Sequence, residues 1–156
     1  HEDVSMHPIF AARTMFVSAI DQRAANTIVD HLTASDAPMR ATQLRVLGGA
    51  MARVPAGATA FAHRAKRIMV NLAAMTTGPD DRAKREAWVT EFASALRRDD
   101  TGAYVAFLGN EGEARVRESY PGATWDRLRA IKARYDPTNL FHLNQNIPPA
   151  NRNGRG

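Results

Sequence analysis

One amide side chain stands in the most apolar part of the sequence and is the first candidate for chemistry. In the strand-like segment Arg67–Met75, the alternate residues Ile68, Val70 and Leu72 are aliphatic, whereas Asn71 lies on the opposite face. A sheet that packs helices on one side and borders a cavity on the other needs this pattern. Asn71 is therefore either a cavity residue that can hydrogen-bond a substrate or an amide that is satisfied within the core.

The sequence carries none of the short motifs that mark the common catalytic and nucleotide-binding sites. It has no Walker loop, no GxGxxG, no GxSxG and no HExxH. Because the chain has no cysteine, a disulfide framework, a thiolate metal site, a cysteine nucleophile and a cysteinyl cofactor link are excluded. We expect no metal site, since metal-ligand spacing is absent from the five histidines His1, His7, His31, His63 and His142.

Hydrophobic periodicity predicts the elements that would position such side chains. Helices are predicted at Asp21–Leu32, from the Gly78–Asp81 break to about Arg98, at Glu113–Tyr120 and at Thr124–Tyr135. Strand patterns occur at Gln43–Leu47, Ala50–Val54, Thr59–Arg64, Arg67–Met75 and Ala103–Leu108, with a short strand or entry segment near Phe10–Val17. Because strands and helices follow in mixed order, without regular βαβ alternation, we predict an α+β fold. Its antiparallel sheet would have helices packed on one face.

Composition limits the classes to which the chain can belong. Its 156 residues are enough for one domain with a hydrophobic core. No segment approaches the ~20 apolar residues that a membrane span needs, and no signal peptide is recognisable, so we expect a cytoplasmic protein. Since the first residue is His1 rather than methionine, we expect this end to be processed or cut from a longer protein.

The last thirty residues hold the most specific pattern in the sequence. After an aromatic-x-x-Leu helix that begins at Trp125, the chain reads Lys132-Ala133-Arg134-Tyr135-Asp136-Pro137-Thr138-Asn139-Leu140-Phe141 and then Asn144-Gln145-Asn146-Ile147. This segment resembles the carboxyl-terminal signature of the berberine-bridge-enzyme-like family of FAD-linked oxidases. Three further blocks resemble that family in the same order: Gly48-Gly49-Ala50 with Arg53-Val54, Thr59–Arg64 and Gly102–Val105. The resemblance covers the chain from about Ala11 to Pro149.

The resemblance implies a domain organisation. Family members bind FAD in an amino-terminal domain, often covalently through a histidine, and a substrate domain with an antiparallel sheet covers the flavin ring. Residues 1–149 resemble the second half of that substrate domain with its carboxyl-terminal return segment, and we expect residues 150–156, in the Pro/Asn/Arg/Gly-rich tail that begins at Pro148, to be disordered. The FAD would be bound mainly by a domain absent from this chain, supplied in cis or in trans.

The resemblance also implies site residues. Tyr104 matches the tyrosine that acts as, or assists, the base that deprotonates a substrate hydroxyl, with a buried structural tyrosine as the alternative. The family usually has an asparagine two positions later, where this chain has Ala106. Asn71 lies at or beside a strand position that carries a polar active-site residue.

Four other residues complete the implied site. His63 and Arg64 are predicted to line the substrate cavity, although they could instead cap a strand turn and pair with an acid. Asn144 and Gln145 match the closing motif near the cofactor.

We therefore predict part of an FAD-dependent oxidoreductase that oxidises a small hydroxyl- or amine-bearing substrate by hydride transfer to flavin, with reoxidation by oxygen. One alternative is a truncated, inactive paralogue that acts as an association module, marked by an exposed apolar surface and by homo-oligomers. A minor alternative uses the net charge of +5 for nucleic-acid binding through Arg127, Arg129, Arg134, Arg152 and Arg155. We expect neither nucleic acid nor membrane as a partner.

Overall fold

The computed structural model describes residues 9–97, 102–109 and 111–151. A three-stranded antiparallel sheet has the order β1-β3-β2. The strands are β1 Phe10–Val17, β2 Arg40–Val46 and β3 Ile68–Met75. The helices are α1 Gln22–Ala34, α2 Pro79–Leu96, α3 Glu113–Ser119 and α4 Ala123–Tyr135. The predicted α+β class with an antiparallel sheet is confirmed.

The aliphatic face of β3 packs against α1 and α2, as the alternation predicts. Val70 and Leu72 are fully buried, and they form one core with side chains of β1, α1 and α2. Phe92 and Leu96 supply the face of α2, and Trp88 packs at its border. Burial of these apolar side chains fixes which face of the sheet the two helices cover.

Local capping explains where α1 begins. The carboxylate of Asp21 accepts a hydrogen bond from the backbone nitrogen of Ala24 at 2.9 Å, which satisfies a donor that the helix cannot pair internally. Asp21, where the predicted helix Asp21–Leu32 begins, is therefore the N-cap of α1.

A buried guanidinium ties α2 to the loop between α1 and β2. Arg85 Nε lies 3.0 Å from Asp81 Oδ2, and its Nη1 lies 2.5 Å from Asp36 Oδ1. Hydrogen bonds from Lys84 and then Arg85 lower the pKa of Asp36 well below its ordinary range. The bond from Arg85 likewise lowers the pKa of Asp81. Both carboxylates therefore stabilise this junction in their charged form.

Two predicted strands between β2 and β3 are wrong. The segment predicted as Ala50–Val54 contains a short 3-10 helix, Met51–Arg53, and Thr59–Arg64 forms turns. Gly48 and Gly49 have φ values of +151° and +58°, so the chain leaves the sheet directly after β2. Without a neighbouring strand, these residues hydrogen-bond locally instead of pairing in the sheet.

The strand predicted at Ala103–Leu108 is also wrong. Local bonds from Phe107 N to Tyr104 O at 3.0 Å and from Leu108 N to Val105 O at 3.2 Å form the 3-10 helix Val105–Phe107. Tyr104 therefore lies just before a short helix and not on a central strand.

The carboxyl-terminal helices form a second, smaller core. Ala103, Leu108, Val116 and Trp125 are buried together there. The apolar side chains of α4 are only partly buried, because Ile131 and Tyr135 are 44% and 73% exposed. Leu140, Phe141 and Leu143 follow in the return segment and are at least 70% exposed. We call these five exposed side chains the carboxyl-terminal apolar segment; they are Ile131, Tyr135, Leu140, Phe141 and Leu143.

The chain after this segment returns to α4. Ala150 N donates to Arg129 O at 3.1 Å, and the Arg129 guanidinium faces the carbonyl oxygens of Pro148 and Pro149 at 3.4 Å. The backbone at Pro148–Ala150 is therefore held against α4. Residues 152–156 lie outside the described part of the chain, and the disorder expected for residues 150–156 stays a prediction. None of the described helices is long and apolar enough to cross a membrane.

The Arg85 junction predicts a pH-dependent stability. Since the folded pKa values of Asp36 and Asp81 are lowered, their contribution is present above the unfolded aspartate pKa of about 4 and is lost as the pH falls further. We expect Arg85→Met to flatten the decrease in the free energy of unfolding below about pH 4, measured by urea denaturation at several pH values. Arg82→Met, which removes an exposed pair with Glu86, is the control. Equal pH slopes for the two variants would contradict this account.

Candidate functional site

A row of polar side chains crosses the sheet on the face opposite α1 and α2, which we call the polar face. Asn71 on β3 is paired with Thr14 on β1 and with Gln43 on β2. Directly paired residues of an antiparallel sheet project to the same side, so the three side chains are neighbours. Thr14 Oγ1 and Asn71 Oδ1 are buried without a hydrogen-bond partner among the described residues. Buried polar atoms are normally paired, so Thr14 Oγ1 and Asn71 Oδ1 are acceptors that the described residues leave unsatisfied.

Aromatic rings cover the polar face next to this row. The Tyr104 ring lies edge-on to Phe61 at 6.0 Å and to Phe107 at 5.5 Å between ring centroids. Phe107 in turn lies under the guanidinium of Arg45, whose Cζ is 4.9 Å from the ring centroid. Arg45 is paired with Met69 and so belongs to the same face as Asn71. The structure thus brings Tyr104 and Asn71, two of the predicted site residues, to one face of the sheet.

An ion cluster fixes the segment that carries Tyr104 against the edge of β1. Arg115 Nη2 donates to the carbonyl oxygen of Thr14 at 2.7 Å. The Glu111 side chain is only 3% exposed, and its Oε2 lies 3.2 Å from Arg115 Nε and 3.5 Å from Arg13 Nε. These contacts hold the beginning of α3 and the residue Glu111 before it against β1, and none of them uses the Tyr104 hydroxyl. That hydroxyl makes no hydrogen bond within the described residues and can take part in chemistry.

His63 is held beside this cluster of rings. It is buried, and its ring lies 4.6 Å from that of Phe16 on the polar face and 5.9 Å from that of Phe61. Burial lowers the pKa of His63 from its ordinary value, and the backbone at Ser119 and Glu118 opposes this effect. The ring nitrogen Nε2 has no hydrogen-bond partner among the described residues. The ring is therefore neutral at neutral pH, and it packs against the aromatic residues that surround Tyr104.

The guanidinium of Arg64 forms its hydrogen bonds within the loop between β2 and β3. Its Nε donates to Phe61 O at 3.0 Å, its Nη2 to Thr59 Oγ1 at 2.8 Å and its Nη1 to Met51 O at 3.5 Å. The guanidinium also lies 5.0 Å from the Phe61 ring centroid. Because each guanidinium nitrogen already has a partner, Arg64 acts on the site by placing Phe61, and a direct substrate contact remains a prediction.

Asn144 and Gln145 border a cavity of about 600 Å³ between α3 and the return segment. Gln145 Nε2 donates to Leu108 O at 2.6 Å, which fixes the backbone just after the Tyr104 segment. Asn144 is exposed with φ +61°, and the neighbouring Asn146 has a buried Oδ1 without a partner among the described residues. These amide groups fit the hydroxyl-rich part of a cofactor such as FAD.

Asp136 organises the turn between α4 and the return segment. Its carboxylate accepts from the backbone nitrogens of Leu140 at 2.7 Å and Phe141 at 3.0 Å, and it also pairs with Lys132. The bond from Lys132 is the main reason that the pKa of Asp136 is lowered. Asn139 contributes a backbone φ of +55°, which asparagine tolerates better than most residues. Its Oδ1 has no partner among the described residues, so the backbone nitrogens of this turn donate to Asp136 and not to the Asn139 side chain.

Three residues of the polar face are missed by the sequence reasoning: Thr14, Gln43 and Arg45. Each lies on a strand whose alternation was visible, but their position beside Asn71 depends on the strand register. Within residues 9–97, 102–109 and 111–151, no group of three or more His, Asp or Glu side chains is arranged to hold a metal ion.

Comparison with known proteins shows similarity along most of the chain. Residues 103–148 match the family described as "Berberine and berberine like". The uncharacterised FAD-linked oxidoreductase YgaK of Bacillus subtilis is 30% identical over 136 residues, which are 85% of this chain and 29% of YgaK. The xylooligosaccharide oxidase of Thermothelomyces thermophilus is 34% identical over 108 residues, which are 65% of this chain and 22% of that enzyme. The resemblance predicted from the sequence is confirmed.

The fold is shared with solved structures of oxidases. The glycopeptide hexose oxidase DBV29, solved in complex with teicoplanin, superposes with a TM-score of 0.77 at 24% identity. The superposition covers 91% of this chain and 32% of that one. The chain therefore spans about a third or less of the length of the relatives it matches.

A substitution at Gly102 tests how tightly the segment that carries Tyr104 packs against His63 and Phe16. It has φ +118°, and a Cβ there would lie 2.7 Å from His63 Cε1 and 3.2 Å from Phe16 Cδ2. We expect Gly102→Ala to lower the free energy of unfolding by roughly 1–3 kcal/mol, because the buried rings must shift and the backbone conformation is strained. Gly57→Ala, where no atom lies within 4 Å of the added Cβ, is the control in thermal unfolding. Equal stability of the two variants would show that the packing at His63 is loose.

Proposed function

We propose, since residues 103–148 belong to the berberine and berberine-like family, that the chain forms the substrate-binding side of an FAD-linked oxidase. The observation that carries this proposal is the meeting of Tyr104 with the unpaired polar row on one face of the sheet. Substrate would bind between this face and a flavin. YgaK supports the FAD-linked chemistry, because it is named an FAD-linked oxidoreductase.

The roles of the chain's own residues follow from their contacts. Tyr104 takes the proton of a substrate hydroxyl, and the Phe61 and Phe107 rings orient its phenol and exclude water. Asn71 and Gln43 hold the substrate by hydrogen bonds from the sheet. When bound, FAD supplies the acceptor for the hydride that leaves carbon, and oxygen reoxidises it. Loss of the hydroxyl proton makes departure of the hydride easier. The base, Tyr104, must therefore lie close to the polar side chains that hold the substrate.

The cofactor contacts of this chain are confined to the return segment. Asn144 and Asn146, whose Oδ1 has no partner among the described residues, line the cavity of about 600 Å³ and offer hydrogen bonds to FAD. Gln145 fixes the return segment in place by its hydrogen bond to Leu108 O. The described part of the chain has no glycine-rich phosphate loop. We therefore assign most of the FAD binding to a separate domain, in cis or in trans.

The carboxyl-terminal apolar segment is the surface that such a domain would cover. Five large apolar side chains with 44% to 80% exposure lie close together in the sequence around the Asp136 turn. Exposed apolar groups of this size commonly mark an interface. YgaK is more than three times as long as the matched region, which leaves room for an FAD-binding domain.

Carbohydrate hydroxyls are the substrate class that we favour among hydroxyl- and amine-bearing compounds. Two of the similar proteins are named as oxidases of a xylooligosaccharide and of a glycopeptide hexose. The polar face suits a sugar, because aromatic rings border a row of amide and hydroxyl groups.

The inactive association module remains the second candidate. The exposed apolar segment favours it, and so does Ala106 at the position where the family usually has an asparagine. Nucleic-acid binding has less support, because Arg127 donates to Gly57 O and Arg129 faces the Pro148 and Pro149 carbonyls. Arg134 stacks on its neighbour Tyr135, and Arg152 and Arg155 lie outside the described residues.

Substitution of Tyr104 tests the catalytic proposal. The chain is co-expressed with the part of YgaK outside the matched region, and oxygen consumption is measured with a panel of sugars. Tyr104→Phe keeps the ring contacts but removes the hydroxyl, so kcat should fall by about 10²–10⁴-fold while flavin is retained. Tyr120→Phe, in the second core, should leave kcat unchanged. A completed protein that holds flavin but consumes no oxygen would favour the association module.

Flavin retention tests the division of the cofactor site. The chain alone is mixed with FAD and desalted, and its absorbance is read near the flavin band at about 450 nm. We expect no stoichiometric flavin on the chain alone and retained flavin after co-expression with the YgaK part. Stoichiometric flavin on the chain alone would contradict the assignment of most contacts to another domain.

A further inference from the structure

Arg45 is a cation on the polar face that no acidic group among the described residues neutralises. Within the described residues it forms no salt bridge, and its recorded contact is the Phe107 ring at 4.9 Å. We propose that Arg45 binds a carboxylate of the substrate, which makes acidic sugars the preferred substrates. The inference rests on the proposed function, because it assumes that the polar face is the substrate site.

The position of Arg45 favours a role in substrate binding. It lies two residues after Gln43 on β2, so its side chain projects from the same face about 7 Å further along the strand. Phe107 is a shared neighbour, in contact with Arg45 on one side and with Tyr104 on the other. A sugar that reaches Tyr104 and Asn71 therefore has Arg45 at its border.

The chemistry of the guanidinium indicates the kind of group it would bind. Its position over the Phe107 ring limits its movement, and its donors have no hydrogen-bond partner among the described residues. Such a planar fork matches the two oxygens of a carboxylate, which gives a strong charge-assisted pair. Two other guanidinium groups bordering the polar face are already engaged: Arg64 by its own loop, and Arg115 by Glu111 and the carbonyl oxygen of Thr14.

Binding to the intact chain tests this inference without any flavin. Isothermal titration compares glucuronate with glucose, at equal ionic strength, for the wild type, Arg45→Gln and Arg23→Gln. Arg23 lies exposed on α1, which packs on the other face of the sheet. We expect glucuronate to bind roughly ten-fold or more tightly than glucose, and only Arg45→Gln to abolish the difference. Arg45→Lys, which keeps the charge but not the fork, should retain part of the preference.

Several outcomes would overturn the inference. They are equal binding of the two sugars, no binding of either, and a preference that survives in Arg45→Gln of unchanged thermal stability. Tighter binding of glucose 6-phosphate than of glucuronate would identify phosphate as the ligand group and would also reject the carboxylate.

The oxidase proposal fails by a different measurement. In the completed enzyme, Arg45→Gln should raise KM for acidic sugars without changing kcat, whereas Tyr104→Phe lowers kcat for acidic and neutral sugars alike. Oxygen consumption without any preference for acidic sugars would overturn the role of Arg45 but not that of Tyr104. Arg45-dependent glucuronate binding without any oxygen consumption would uphold the role of Arg45 and reject the oxidase.

Discussion

The pairing of β3 with a strand on each side is the constraint on which the rest of the structure depends. A central strand has both rows of backbone groups satisfied, and its side chains must alternate between two environments. In β3 these environments are an apolar core under α1 and α2 and a polar face with Asn71 at its centre. The same register places Thr14 and Gln43 beside Asn71, so the packing of the core determines the composition of the site.

Elements with a strong internal signal could be predicted from the sequence. α1 has a capping residue, Asp21, and in β3 the aliphatic residues Ile68, Val70 and Leu72 alternate around the amide of Asn71. The segments at residues 50–64 and 103–108 contain apolar residues too, but their conformation depends on whether a neighbouring strand is available. Glycines with positive φ direct the first segment away from the sheet, and local 3-10 bonds form in the second. Neither effect is visible in a short apolar run.

The candidate site was predictable only where one residue carried its own signal. Asn71 is conspicuous as an amide within an apolar strand, whereas Tyr104 was identified by its resemblance to a family. Thr14, Gln43 and Arg45 are ordinary residues in the sequence, and they become neighbours only through the pairing of three strands distant in the chain. Arg64 is the opposite case, because the sequence predicts it as a substrate-cavity residue, whereas its guanidinium forms hydrogen bonds within its own loop.

The position of β2 at the edge of the sheet has a consequence for solution behaviour. Its outer backbone groups have no strand partner among the described residues, and Val46 is 85% exposed. Such an edge is a template for aggregation unless charge or cover protects it. Arg40 and Arg45 lie within this short strand, where their charges oppose stacking with identical copies. The arginine that we propose for ligand binding thus also opposes pairing of this edge with a second copy of the chain, so its substitution would affect both properties.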